Sequence, residues 1–203
     1  SGGDARAARA ACFPAAEPRG VSRGPARSGP VAERGSRRRP RARARLIRYI
    51  DTSVLVAYYL PEPLSERAER GLRRGGTPSI SPLVELEFAS VLARKVRARE
   101  LAPAAARAAL EQFRAHQEEG LYRRLEIGAA HYDQARRWVE AFRPPLRTLD
   151  ALHLSVAAGA GAALLTADVQ LARAARALHL ACRLLRASAR ATAATGARSR
   201  NAL

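Results

Sequence analysis

The sequence predicts an α/β protein: a three-layer α/β/α sandwich around a short parallel sheet of four to five strands. Three observations predict it. Short apolar runs recur along residues 46–185, each separated from the next by one or two segments of helical character. The runs are short and for the most part apolar, as expected of strands covered on both faces. Proline and glycine punctuate the intervening helices, so that strand and helix alternate in the order that builds parallel sheets.

The first run, 46–50, ends at Asp51 and reads as a buried strand. Thr52 or Ser53 is the expected cap of a helix through 54–60, stopped by Pro61. Residues 63–74 form a polar, surface-type helix that ends at Gly75-Gly76, and 77–81 is a second strand. Ser81-Pro82 supplies an N-cap and a proline at the first helical position for a helix to about Arg99. Pro103 opens an alanine-rich helix that ends near Gly120. Residues 122–127 are a third strand, and 129–142 a helix stopped by Pro144-Pro145. Thr148 caps a helix through 158, with Gly159 and Gly161 behind it. A fourth strand over 162–165 precedes a helix over 169–178, and 181–185 is a fifth.

The charge sits at the ends. Residues 1–45 carry 12 arginines against 3 acids, and 181–203 carry 5 arginines and no acid, whereas the middle is nearly balanced. Residues 1–45 lack apolar periodicity, and the expected organisation is a disordered basic extension over 1–45, a folded domain over 46–185 and a disordered basic tail over 186–203. The leader is open to three readings: an RNA-binding arm, an organelle transit segment, or an extension with no role. Net positive charge favours polyanionic partners. Two cysteines, Cys12 and Cys182, exclude a disulfide framework or a cysteine-rich zinc site and fit a reducing, cytoplasmic setting. No apolar run is long enough to span a bilayer.

Acids mark the strand ends. Asp51 follows the first strand without a spacer, and Asp168 lies three residues past Leu165. Asp150 falls in the first turn of its helix, and Glu85 and Glu87 in the first two turns of theirs. In such sheets ligands bind beyond the carboxyl ends of the strands. Carboxylates gathered there repel one another unless they share protons, pair with bases or hold a cation. Mg²⁺ suits a few carboxylates and phosphate substrates, and a divalent ion activates water and steadies the leaving oxygen, so the pattern points to metal-assisted phosphodiester hydrolysis. Each acid taken singly also has an ordinary reading: Asp51 and Asp168 as helix caps, Asp150 as a first-turn acid favoured by the helix dipole, Glu85 and Glu87 as solvated.

The surrounding residues carry a resemblance. Ile50-Asp51-Thr52-Ser53-Val54-Leu55-Val56 resembles the opening motif of PIN domains. Ser81-Pro82-Leu83-Val84-Glu85-Leu86-Glu87-Phe88-Ala89 is similar to the second motif, with Glu87 at the glutamate and Glu85 as an extra. Leu149-Asp150-Ala151-Leu152-His153-Leu154-Ser155 is similar to the third motif, and Leu164-Leu165-Thr166-Ala167-Asp168-Val169 to the fourth. The resemblance spans about 46–185, and the order and separations agree. It is nearest to VapC-like toxins. It implies an Mg²⁺- or Mn²⁺-dependent ribonuclease, usually a homodimer, acting on RNA and neutralised by a cognate VapB-like antitoxin. It also implies Asp51 and Asp150 as principal metal ligands, Glu87 and Asp168 completing the acidic pocket, and Thr52, Ser53 or Thr166 orienting carboxylates.

The remaining residues have plainer expectations. His116, His131, His153 and His179 show no ligand spacing, and His153 reads as a surface or packing residue. Trp138 and Phe142, four apart on one helix, read as core. Tyr58, Tyr59 and Leu60 are core or an interface patch, Arg147 is solvated or touches RNA phosphate, and Cys182 reads as a small buried hydrophobe. The alternative function is a PIN-fold RNA- or protein-binding module without turnover. A phosphotransferase with Asp51 as nucleophile is disfavoured because Ser53 stands where a second aspartate is needed. A duplex-DNA reader is disfavoured because no helix presents a basic polar face.

Overall fold

The computed structural model describes residues 47–75 and 77–186. The expected basic extension over 1–45 and nearly all of the tail lie outside these residues. Among the described residues five strands form one parallel sheet in the order β3-β2-β1-β4-β5. The strands are β1 (Arg48–Ile50), β2 (Pro78–Ile80), β3 (Arg123–Arg124), β4 (Ala163–Thr166) and β5 (Cys182–Leu184). Seven helices connect and cover them: α1 (Thr52–Tyr59), α2 (Ser65–Arg73), α3 (Pro82–Arg97), α4 (Pro103–Glu118), α5 (Ala129–Glu140), α6 (Thr148–Gly159) and α7 (Val169–Ala177). This is the expected α/β/α arrangement. No helix among the described residues is long and apolar enough to cross a membrane.

The topology locates a site. The chain leaves β1 toward β2 on one side, whereas β4 pairs with β1 on the other, through Arg48–Ala163, Tyr49–Leu164 and Ile50–Leu165. The strand order therefore reverses between β1 and β4, and a crevice opens at their carboxyl ends. Asp51 stands at the end of β1, where its N–H still bonds to the Leu165 carbonyl at 3.0 Å.

Sheet and helices meet over a core that includes Tyr49, Ile50, Leu55, Phe88, Leu154 and Leu164, all at most 1% exposed. A second cluster of Leu83, Ala135, Ala151 and Leu152, with Ile127 and Leu146 against it, joins α3, α5 and α6. Arg48 ties the sheet to α2: its guanidinium donates to the carbonyls of Gly71 and Leu72, two of the acceptors that a helix end leaves open.

Several expectations need correction. Asp51, not Thr52 or Ser53, caps α1, and Arg147, not Thr148, stands at the cap position of α6. The third strand shrinks to two exposed residues at the sheet edge, because Tyr122 turns into the core instead. Helix α5 stops before Phe142, which takes a left-handed φ of 58° and is 83% exposed, so it shares no helical face with Trp138. Cys182 is half-buried on the outermost strand β5.

Tyr58 and Tyr59 pack within the chain. The Tyr59 ring lies 5.3 Å from Phe88, 5.5 Å from Phe113 and 5.6 Å from His116, and its hydroxyl bonds His116 Nδ1 at 2.7 Å and the Tyr122 hydroxyl at 2.9 Å. Burial lowers the His116 pKa, with Glu119 opposing the effect. The folded chain therefore favours neutral His116. Its share of stability is full above the ordinary histidine value of about 6.5 and is lost as pH falls toward the lowered folded value. Urea midpoints measured from pH 7.5 to 5 should fall less steeply in His116→Gln than in the parent. Equal slopes would show that this imidazole carries no linkage.

Candidate active site

Four chain segments carry the acids; Asp51 and Glu87 meet, with His153, and Asp150 and Asp168 lie outside that group but near enough to influence one another. Asp51 ends β1 and caps α1; Asp168 follows β4 and caps α7, accepting from the backbone N–H groups of Gln170 at 2.6 Å and Leu171 at 3.1 Å. Asp150 lies in the first turn of α6. Three helix N-termini, each with partial positive charge, thus face the acids and offset their mutual repulsion. Glu87 comes from α3. Asp51 is only 5% exposed and Glu87 is part-buried, whereas Asp168 lies on the surface.

The ordinary readings of Asp168 and Asp51 as helix caps are therefore realised. One Asp51 oxygen, Oδ2, accepts from the Ser53 hydroxyl, from the Thr166 hydroxyl at 2.7 Å and, weakly, from the Ser53 N–H at 3.4 Å. The other, Oδ1, accepts no hydrogen bond among the described residues and lies 3.8 Å from His153 Nε2. Glu87 repeats the pattern: its Oε2 accepts from the Thr52 hydroxyl at 2.5 Å and from His153 Nε2 at 2.7 Å. Both carboxylates are held by one oxygen.

Asp51, Glu87 and His153 each offer a ligand atom within 4.8 Å of the others. Asp150 is drawn into the same electrostatic field. Burial raises its pKa, the charges of Asp168 and Asp51 raise it further, and His153 and Arg147 pull it down. For Glu87, burial alone would raise the pKa. The His153 hydrogen bond and charge and the Thr52 hydroxyl outweigh that, and the value lies below the ordinary carboxylate range. For His153, burial would lower the pKa, but the Glu87 hydrogen bond and the charges of Asp51, Glu87 and Asp150 raise it. Oxygen donors of this kind, two of them with one oxygen orientated and one uncommitted, fit a hard divalent cation such as Mg²⁺ or Mn²⁺.

Of the two expectations for His153, surface or packing, the surface one fails: the ring is buried and packed against Tyr49. It is 2% exposed and bonds Glu87 on one side and the Tyr49 hydroxyl on the other, at 2.9 Å. The signal was its spacing: three residues after Asp150 on one helix is the same face. Tyr49 also went unmarked, although a tyrosine inside a central strand needs a partner for its hydroxyl. Ser81 is that partner's counterpart: it occupies the cap position of α3 but makes no side-chain cap bond there, because its hydroxyl meets Tyr49 at 2.7 Å. Glu85 is separate from the cluster and pairs with Arg124 at 2.9 Å.

Thr166 carries a testable share of this order. It is fully buried, donates to Asp51 and accepts from the Asp168 N–H at 2.9 Å. Thr166→Val keeps the shape, leaves the Asp168 N–H without its acceptor and leaves Asp51 Oδ2 to Ser53 alone, so urea unfolding should register a loss of about 1–3 kcal/mol. A loss within experimental error would mean that water replaces the hydroxyl.

Comparison with known proteins agrees with this fold. No curated protein matches the chain. Among solved structures, VapBC2 from Rickettsia felis bound to a DNA fragment from their promoter is similar, with a TM-score of 0.52 and 16% identity, over 70% of this chain and 100% of that one. FitAcB from Neisseria gonorrhoeae gives 0.52 and 19%, over 67% and 96%. PAE2754 from Pyrobaculum aerophilum gives 0.51 and 20%, over 68% and 83%. At these identities the likeness is one of fold. The PIN domain family model matches residues 48–177, most of the described chain and all four acids, and the chain belongs to the PIN domain family.

Proposed function

We propose that the protein is a metal-dependent endoribonuclease, a VapC-like toxin that cleaves RNA phosphodiester bonds and is neutralised by a cognate VapB-like antitoxin. The observation that carries this reading is the meeting of Asp51 and Glu87 at the carboxyl edge of the sheet, with Asp150 and Asp168 in the same field. Asp51 and Asp150 are the principal metal ligands in this reading, and Glu87 and Asp168 complete the pocket. A divalent cation, Mg²⁺ or Mn²⁺, supplies Lewis acidity there, polarising the phosphoryl oxygen and acidifying water.

The chain's own groups do the rest. The Ser53 and Thr166 hydroxyls fix the Asp51 carboxylate, and Thr52 and His153 fix Glu87. Arg147, exposed at the start of α6 and close enough to influence Asp150, would meet a phosphate of the substrate in this reading. The fold shared with the VapBC2 and FitAcB structures supports an antitoxin partner. A homodimer in the cytoplasm belongs to the same reading.

The deciding experiment is cleavage of a labelled RNA by the full chain. Cutting is expected with Mg²⁺ or Mn²⁺, none with EDTA, and little by Asp150→Asn under either condition. RNA cut equally well in EDTA, or left whole at every metal concentration by a folded protein, ends the proposal.

A further inference from the structure

We infer that His153 is a positioning residue, which holds Glu87 Oε2 so that the second Glu87 oxygen is left for a divalent cation, and that Tyr49 and Ser81 hold the imidazole in turn. The inference rests on the metal-dependent reading above and adds to it a role for three residues outside the acidic set.

The geometry carries it. A continuous line of buried polar side chains runs from Ser81 Oγ to the Tyr49 hydroxyl at 2.7 Å, from there to His153 Nδ1 at 2.9 Å, and from His153 Nε2 to Glu87 Oε2 at 2.7 Å. Both ring nitrogens are engaged. For His153 to serve as a ligand itself, Nε2 would have to give up the bond to Glu87 in a site where its ring has almost no access to water. Glu87 accepts through Nε2–H whether the ring is neutral or protonated: the neutral ring takes a hydrogen bond from Tyr49 at Nδ1, and the protonated ring donates one there. The ring is also packed against Tyr49, with centroids 5.8 Å apart.

The line joins three elements: β1 through Tyr49, α6 through His153 and α3 through Glu87. Glu87 is the one acid that does not stand at a strand end or in the first turn of its helix, so the sheet edge alone does not fix its direction. Two hydroxyls orientate Asp51; one hydroxyl and one imidazole orientate Glu87. Loss of such an orienting partner behind a metal ligand costs roughly 10–100-fold in metal affinity.

The test is Mn²⁺ binding by titration calorimetry to the full chain, with circular dichroism to establish folding. His153→Leu, which removes the donor, should weaken Mn²⁺ binding by about 10–100-fold. His153→Gln, whose side-chain N–H can reach Glu87, should recover most of that loss. Parent-like affinity in His153→Leu overturns the inference. So does equal weakening by both variants, which would make a ring nitrogen the ligand. Should His153→Leu fail to fold, Tyr49→Phe carries the test: it keeps the ring in β1, frees Nδ1, and should weaken Mn²⁺ in the same direction, parent-like affinity again overturning the inference. A folded parent that binds no Mn²⁺ ends this inference and the nuclease reading together. A parent that binds Mn²⁺ and cuts RNA, with unchanged affinity in the variants, ends this inference alone.

Discussion

Asp51→Asn should abolish RNA cleavage while leaving the chain folded. The amide is the same size as the carboxylate, and its oxygen can take the place of Oδ2 and accept from the Ser53 and Thr166 hydroxyls. The NH₂ group then occupies the position of Oδ1, 3.8 Å from His153, where it offers protons instead of lone pairs. A cation loses a ligand and a negative charge at once, so the loss should exceed the roughly 100-fold upper cost of removing an orienting partner. The melting temperature in EDTA should hold or rise, because a buried member of a like-charged cluster has been neutralised. Cleavage of a labelled RNA and a thermal melt on the same preparation check both halves. Parent-like cutting would overturn the assignment of Asp51 to the metal centre, whatever the melt showed.

The largest effect on stability is expected from Phe88→Ala, at about 3–5 kcal/mol. Phe88 is fully buried on α3, its ring 5.3 Å from Tyr59 on α1 and 5.0 Å from Phe113 on α4. The Tyr59 hydroxyl is bonded to His116 and Tyr122, so that ring cannot collapse into the space without breaking the network. The cavity therefore persists, and its cost adds to the lost transfer free energy. Urea unfolding followed by circular dichroism measures it. A change within about 0.5 kcal/mol, the range of a surface substitution, would mean that the aromatic cluster does not pack as described.

Much of this was legible in the chain because parallel strands and their helices announce themselves locally. Leu164 and Leu165 leave little choice but a buried strand, and Pro82 and Pro103 set two helix starts to the residue. Asp51, Asp150 and Asp168 stand out in the sequence because they follow strands or fall in a first helical turn, whereas Glu87, in the second turn of α3, is marked only by the resemblance. The errors share a cause: side chains whose partners come from distant segments. Ser81 has the residue type and position of a cap, yet a tyrosine 32 residues away takes its hydroxyl. His153 lacked a second histidine at ligand spacing, but its partners are Tyr49 and Glu87, 104 and 66 residues away. Phe142 fits a helical pattern, but the helix ends two residues before it and Phe142 itself takes a left-handed conformation that no local apolar periodicity reveals.

The place of β4 bears on how the protein is made. It lies beside β1 at the centre of the sheet, yet it is formed by residues 163–166, long after Asp51 and Glu87 have been synthesised. Until those residues leave the ribosome, β1 has an unpaired edge, Asp51 lacks its Thr166 clamp, and Asp168 does not exist. Nascent chains and products truncated before residue 163 therefore carry Asp51, Glu87 and Asp150 with no complete frame to hold them, and the centre is withheld until residues 163–168 have been made.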